Sequence, residues 1–343
     1  MIAIEEIEKL SPAKLGLITV VTGDDVGQYS LLKQRFLDQI AYNTADLTYS
    51  YFDLSESSFQ SAEMDLESLP FFADQKIVIL DNLLDLTTQK KSYLDDKELK
   101  RLEAYLENPL DSNRLVIFAP GKLDSKRRIV KLLKRDAQIF EASELKEAEL
   151  RTYFQKQAHQ SGLTFDRGVF DELLVKSSFD FSEVQKNLIF LRQYKGQGMI
   201  IQDDIVQAIP KTLQDNIFDL TQLVLSKKID QAQDLVRDLR LQGEDEIKLI
   251  AVMLGQFRTY TQVRILAQQG RNEQQIVADL SSYLGRSVNA FQVKYALRDS
   301  RLYSLSKLRG AVQALILCDY QIKQGLYAKD YLFDVTLLKI AHL

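Results

Sequence analysis

Three short runs constrain this fold more than anything else in the chain. Residues 15–22 (LGLITVVT), 77–80 (IVIL) and 115–118 (LVIF) are apolar almost without interruption. A strand with one wet face alternates apolar and polar residues, whereas a run apolar throughout is buried on both faces. Such strands belong to a parallel sheet covered by helices on either side. Residues 47–52 and 138–141 read as two further strands. Between the strands lie helical patterns: Leu31, Leu32, Phe36 and Ile40 share one face, and Leu99, Leu102 and Leu106 another. Strands alternating with helices predict a mostly parallel α/β domain over residues 1–142.

From residue 143 the pattern becomes helical throughout. Residues 143–211 read as a compact helical module, with Gly196 and Gly198 suited to ending one helix and Pro210 stopping the last. Residues 212–343 read as a second helical domain. Its segments 246–268 and 310–322 are apolar on much of their circumference, which places them inside a bundle or against other subunits.

The bulk composition excludes several classes. In 343 residues, 44 basic side chains face 48 acidic ones, for a net charge of −4, so the chain does not coat nucleic acid by bulk charge. A lone cysteine, Cys318, forbids an internal disulfide and fits a reducing cytosol. The opening residues lack the basic region of a secretory signal, and no apolar run approaches the length of a membrane span. A cytoplasmic protein without membrane contact is expected.

Catalytic chemistry is hard to place. The strand–turn–helix at 15–40 carries Gly23 and Gly27, the setting of a phosphate-binding loop. Its glycines are one residue too close, Gln28 stands where the phosphate-reaching lysine belongs, and no Lys-Ser or Lys-Thr pair follows. Asp81 and Asn82 end the third strand with no adjacent carboxylate to act as a base. His159 and His342 are remote from each other in sequence and have no clustered ligands. No catalytic residue, metal site or cofactor is expected; the chain reads as an interaction protein.

Three stretches are candidates for interaction. The first is residues 67–76, where Leu69-Pro70-Phe71-Phe72 precedes the 77–80 strand. Pro70 fixes its own φ, and two adjacent aromatics on such a turn either cap the sheet edge or project as a plug into a partner's pocket. The second is residues 122–135, with seven basic residues and one acid, an apolar stripe of Ile129, Leu132 and Leu133, and Lys126, Arg127, Lys131 and Lys134 opposite. That face is either simply solvated or set against a phosphate backbone or acidic surface. The third is residues 273–298, two helical segments around Gly285 that would offer Gln292, Lys294 and Arg298 to a DNA groove if they formed a helix-turn-helix.

In their order, these features resemble the delta subunit of the bacterial DNA polymerase III clamp loader. The resemblance is carried by Leu10-Ser11-Pro12, by Leu69-Pro70-Phe71-Phe72 ahead of the strand, and by Ala119-Pro120-Gly121-Lys122-Leu123-Asp124 with its basic helix. Asp180-Phe181-Ser182-Glu183-Val184, Asp215-Asn216-Ile217-Phe218-Asp219-Leu220 and Leu241-Gln242-Gly243-Glu244 extend it along essentially the whole chain. It implies a degenerate ATPase-like α/β domain, a small helical domain and a helical collar that assembles the loader. It also implies a non-hydrolysing subunit without cofactor that binds the sliding clamp (beta) and opens the ring during replication. The partners implied are the gamma/tau and delta-prime subunits and primer-template DNA. Against the family motif, Phe71 and Phe72 grip the clamp, with Leu69, Met64 and Leu66 in support. Two other readings stand beside this one: a DNA-binding regulator using residues 273–298, and an ATPase with an unorthodox loop.

Overall fold

The computed structural model describes residues 2–70, 73–285, 288 and 290–343, the side chain of Phe291 excepted. The chain divides into two compact units, Met1–Ile205 and Val206–Leu343. A short helix α1 (Ala3–Ile7) leads into β1 (Ile18–Gly23), α2 (Val26–Gln39), β2 (Tyr49–Asp53), α3 (Phe59–Glu67) and β3 (Lys76–Asp81). Next come α4 (Asp96–Glu107), β4 (Asn113–Pro120), α5 (Arg128–Asp136) and β5 (Gln138–Glu141). The five strands form one sheet in the order β2-β3-β4-β1-β5, and every pair is parallel.

Burial follows strand position as the apolar runs require. β1 and β3 are buried at every residue, β4 at all but its second and last, and the edge strands β2 and β5 are only partly covered. Alternate residues of one strand serve opposite faces. Val20, Val78, Leu80, Leu115 and Ile117 pack in one core with Phe59 and Leu66 of α3, Leu102 of α4 and Ile129 and Leu133 of α5. Toward the other layer, Phe36 of α2 meets Phe118 and Phe140 edge-on, at ring-centroid distances of 5.7 and 6.1 Å.

The rest of the first unit comprises α6 (Glu147–Gln160), β6 (Leu163–Phe165), α7 (Val169–Lys176), α8 (Phe181–Lys195) and β7 (Gly198–Ile200), and the unit boundary falls within α9 (Gln202–Ala208). Its core is aromatic: Tyr153, Phe154 and Phe181 lie 4.8–5.5 Å apart, centre to centre. This module is not purely helical, because β6 and β7 pair in parallel, Leu163 opposite Gly198. Three residues per strand are too few to carry a period-two signal, so the pattern gave no hint of them.

The second unit is wholly helical among its described residues: α10 (Leu213–Leu225), α11 (Ile229–Leu241), α12 (Glu246–Gln268), α13 (Glu273–Leu284), α14 (Ala290–Ser300), α15 (Leu305–Lys323) and α16 (Lys329–His342). Leu249, Ile250, Met253, Phe257, Tyr260 and Val263 run the length of α12 through one core shared with the other helices. The thiol of Cys318 belongs to that core, and burial pushes its pKa up. α15 is less buried than its composition suggests. Ile316, Leu317 and Tyr320 stand exposed on it, as do Leu326 and Tyr327 just beyond. No helix among the described residues is long and apolar enough to cross a membrane.

Candidate functional site

The stretch around Leu69 is built from the sheet outward. α3 buries Phe59, Ala62 and Leu66 against β3 and β4, which leaves Met64 on the opposite face, 68% exposed. Leu69, just past the helix, is 65% exposed. Phe71 and Phe72 lie outside the described residues. Leu66 is only 1% exposed, because its position on α3 points it into the core with Phe59 and Ala62. The expectation that it touches a partner is corrected: it supports the turn from beneath.

Two buried polar residues hold this segment. Lys76 begins β3 and Asn113 begins β4, and the two are ladder partners. The Lys76 ammonium donates to Oδ1 of Asp65 at 2.9 Å, to Oγ of Ser68 at 2.6 Å, and to the carbonyl oxygen of Asp65. The Asn113 amide donates to the carbonyl oxygens of Leu66 at 2.6 Å and Ser68 at 3.1 Å. Sequence reading missed both, since nothing in a strand's first residue announces what its side chain reaches. It also missed Leu47, an exposed residue that shares a cleft of about 90 Å³ with Leu69, Pro70 and Ala73.

The turn between β1 and α2 is filled from within. Asp25 caps α2, its carboxylate accepting from the Gln28 amide N–H at 2.9 Å and from the Gln28 side chain at 2.6 Å. Gln28, itself buried, also donates to the carbonyl oxygen of Ser143 at 2.9 Å. A Cβ on Gly23 would lie 2.1 Å from the Ala142 carbonyl oxygen, and one on Gly27 2.1 Å from the Ser182 hydroxyl. The helix N-terminus, which a phosphate would need, thus already carries an anion of the protein.

At the C-terminal end of β3 the charges are also satisfied internally. Buried Asp81 accepts from the Lys33 ammonium and the Tyr51 hydroxyl, each at 2.5 Å, and from the Asn82 N–H at 2.9 Å. Burial first, then the bond to Asp81, holds the Tyr51 hydroxyl far above its ordinary pKa. Burial and the nearby Asp81 carboxylate do the same to Tyr29.

The basic segment differs from the expected single helical face. α5 starts only at Arg128, so Lys126 and Arg127 sit in the preceding loop. Arg127 donates to the Asp85 carbonyl oxygen and pairs with Asp124 at 3.5 Å, which turns it toward the protein. Lys134 donates to the Ser125 hydroxyl at 2.8 Å and, like Lys126 and Lys131, is exposed. The buried stripe is Ile129, Val130 and Leu133, with Leu132 half-covered. Beside this loop runs the segment bearing Lys90 and Lys91, joined to it where the Thr88 N–H donates to the Lys122 carbonyl oxygen at 2.9 Å. In the second unit, α14 buries Val293 and Ala296 in the bundle core. Its Arg298 pairs with Asp299 at 2.7 Å and lies 4.9 Å from the Tyr295 ring centre, and its side chain remains exposed, as Gln292 and Lys294 also are.

Comparison with known proteins agrees with this architecture over almost its whole length. Residues 20–143 match the family described as DNA polymerase III, delta subunit, and residues 214–340 match the C-terminal domain of the DNA polymerase III delta subunit. DNA polymerase III subunit delta of Bacillus subtilis is 30% identical over 316 residues, 91% of this chain and 88% of that protein. The solved structure of the Bacillus subtilis DNA clamp loader delta protein is 27% identical, covers 99% of each chain and superposes with a TM-score of 0.56. With both its parallel α/β sheet region and its terminal helical bundle matched, this chain belongs to the DNA polymerase III delta subunit family.

Proposed function

We propose that this protein is the clamp-gripping subunit of a replicative clamp loader, and that the segment from Met64 to Phe72 is its grip. The observation that carries the reading is the exposure of Met64 on α3 and of Leu69 on the turn that follows, a turn pinned from below by Lys76 and Asn113. An exposed apolar rim on a firm base suits a partner's pocket, because little order is lost on docking. Phe71 and Phe72 complete the plug, and the partner is the sliding clamp, whose ring this subunit springs open.

The division into residues 1–142, 143–211 and 212–343 follows from the same reading, with the last serving as the collar. Ile316, Leu317, Tyr320, Leu326 and Tyr327 form an exposed apolar surface suited to the gamma/tau and delta-prime subunits. ATP hydrolysis belongs to those partners. Here the Asp25 carboxylate occupies the α2 N-terminus, and a phosphate brought there would meet like charge. The chain works in replication on primer-template DNA, which Lys126 and Lys131 face within the assembled loader.

The test is a paired measurement on Phe71→Ala with Phe72→Ala. Two aromatic anchors leaving a closed pocket should cost roughly 3–6 kcal/mol of clamp affinity. The melting temperature should stay near that of the parent. Retained affinity, or a large loss of melting temperature as for core phenylalanines, refutes the assignment.

A further inference from the structure

Lys76 is an unusual residue to bury at the start of a strand. Its side chain is 7% exposed, and its hydrogen-bond acceptors all belong to the last turn of α3 and the residue that ends it. Taking an ammonium out of water is expensive, and its hydrogen bonds do no more than offset that penalty. For stability alone, apolar side chains of similar volume in place of both Lys76 and Asp65 would serve as well or better. What the lysine supplies, and an apolar residue cannot, is a fixed direction. The bond from its ammonium to Ser68 Oγ closes the segment 68–76 at its base. Asn113, its ladder partner on β4, fixes the same turn from the neighbouring strand through the carbonyl oxygens of Leu66 and Ser68. The chain entering the segment and the chain leaving it are thus tied to one edge of the sheet. Met64, Leu69, Phe71 and Phe72 all lie within the stretch so governed or on the helix that feeds it.

We infer that Lys76 is a positioning residue for clamp binding. By tying Asp65 and Ser68 to the start of β3 it sets the geometry in which the 69–72 segment meets its partner, so that the ordering cost is met before docking. This inference rests on the clamp-contact reading given above. It adds a residue that touches no partner and acts only through the segment it holds.

The experiment is a double-mutant cycle on the full chain, read by titration with the sliding clamp and by thermal unfolding. Lys76→Met keeps volume and removes the three hydrogen bonds. It should weaken clamp binding by the folded protein roughly tenfold, and the melting temperature should fall as well, because Asp65 loses its cationic partner. In a Phe72→Ala background the same substitution should weaken binding by less than roughly threefold, because the anchor it positions is gone. A role confined to stability would move the melting temperature and leave no such coupling. Wild-type affinity in Lys76→Met, or an equal loss in both backgrounds, overturns the inference. If Lys76→Met does not fold, Ser68→Ala removes one acceptor at a half-buried position. It should weaken binding roughly threefold, and unchanged affinity there overturns the inference as well. Phe71→Ala with Phe72→Ala separates the two levels. An unimpaired double variant removes the clamp-contact reading and the positioning role with it. An impaired one beside a wild-type-like Lys76→Met removes the positioning role alone.

Discussion

Replacing Lys33 by Met tests whether the sheet's C-terminal edge is held by the protein's own charges. In an open α/β sheet that edge is where ligands bind. Here buried Asp81 is satisfied by Lys33, Tyr51 and the Asn82 N–H. Removing one partner of a fully buried ion pair costs about 3–5 kcal/mol. Lys33 is one-quarter exposed and Asp81 keeps two donors, so the expected loss is smaller, about 2–3 kcal/mol. Packing changes little, because the Lys33 ammonium lies 5.1 Å from the centre of the Phe118 ring and a Met thioether suits the same place. Asp81→Asn should cost less, about 1–2 kcal/mol, since Tyr51 can still donate to the amide oxygen and Lys33 can turn to solvent. With no buried charge left, the double variant should be hardly worse than Asp81→Asn alone. Hydrogen exchange of the β3 and β4 amides reads this unit by itself under native conditions. Additivity of the two substitutions to within about 0.5 kcal/mol would show that Lys33 and Asp81 do not stabilise each other, and the reasoning would fail.

Reversing the charges of Lys126 and Lys131 to Glu should weaken DNA binding by the assembled loader and flatten its salt dependence, with clamp affinity unchanged; DNA affinity equal to the parent's would return both residues to a merely solvated surface. Asp204 accepts from the Ile201 N–H and from Lys195, which together hold its carboxyl below the usual range. A carboxyl depressed in the folded state contributes stability above its unfolded pKa of about 3.9 and loses it as pH falls through the folded value. Asp204→Asn should therefore flatten the acid limb of unfolding in the helical module below about pH 4. An acid limb identical to the parent's refutes that contribution.

The fold was legible where burial is complete. Residues 77–80 and 115–118 have no polar face to confuse with a helix, and both became central strands. The edge strand at Tyr49–Asp53 was legible only approximately, since its half-wet residues carry a weaker signal and its start lay two residues later than the pattern suggested. The β6–β7 pair was not legible at all. It depends on Leu163 and Gly198 meeting across an intervening helical hairpin, and no local window contains both. The same limit governed the basic segment. Composition showed a run of cations, but only tertiary partners decided that Arg127 faces Asp85 and Asp124 while Lys131 stays in solvent.

The turn at Leu69 shows why a proposed binding element is easier to notice in sequence than its support. An exposed Leu beside Pro and two Phe is anomalous by itself, because large apolar side chains on a fixed turn need something to cover them. Lys76 is not anomalous by itself. A lysine at a strand's first residue normally points to water, and only the turn of α3, brought over the sheet edge by the burial of Phe59, Ala62 and Leu66, surrounds it with acceptors. The three apolar contacts fix where the helix ends, the helix end makes a buried lysine tolerable, and the lysine fixes where the following residues begin. Specificity of presentation therefore arises at the third step of a chain of dependencies whose first step alone is written in hydrophobic pattern. A change in packing beneath α3, such as Leu66→Ala, would disturb the proposed grip without touching any residue that a partner could reach.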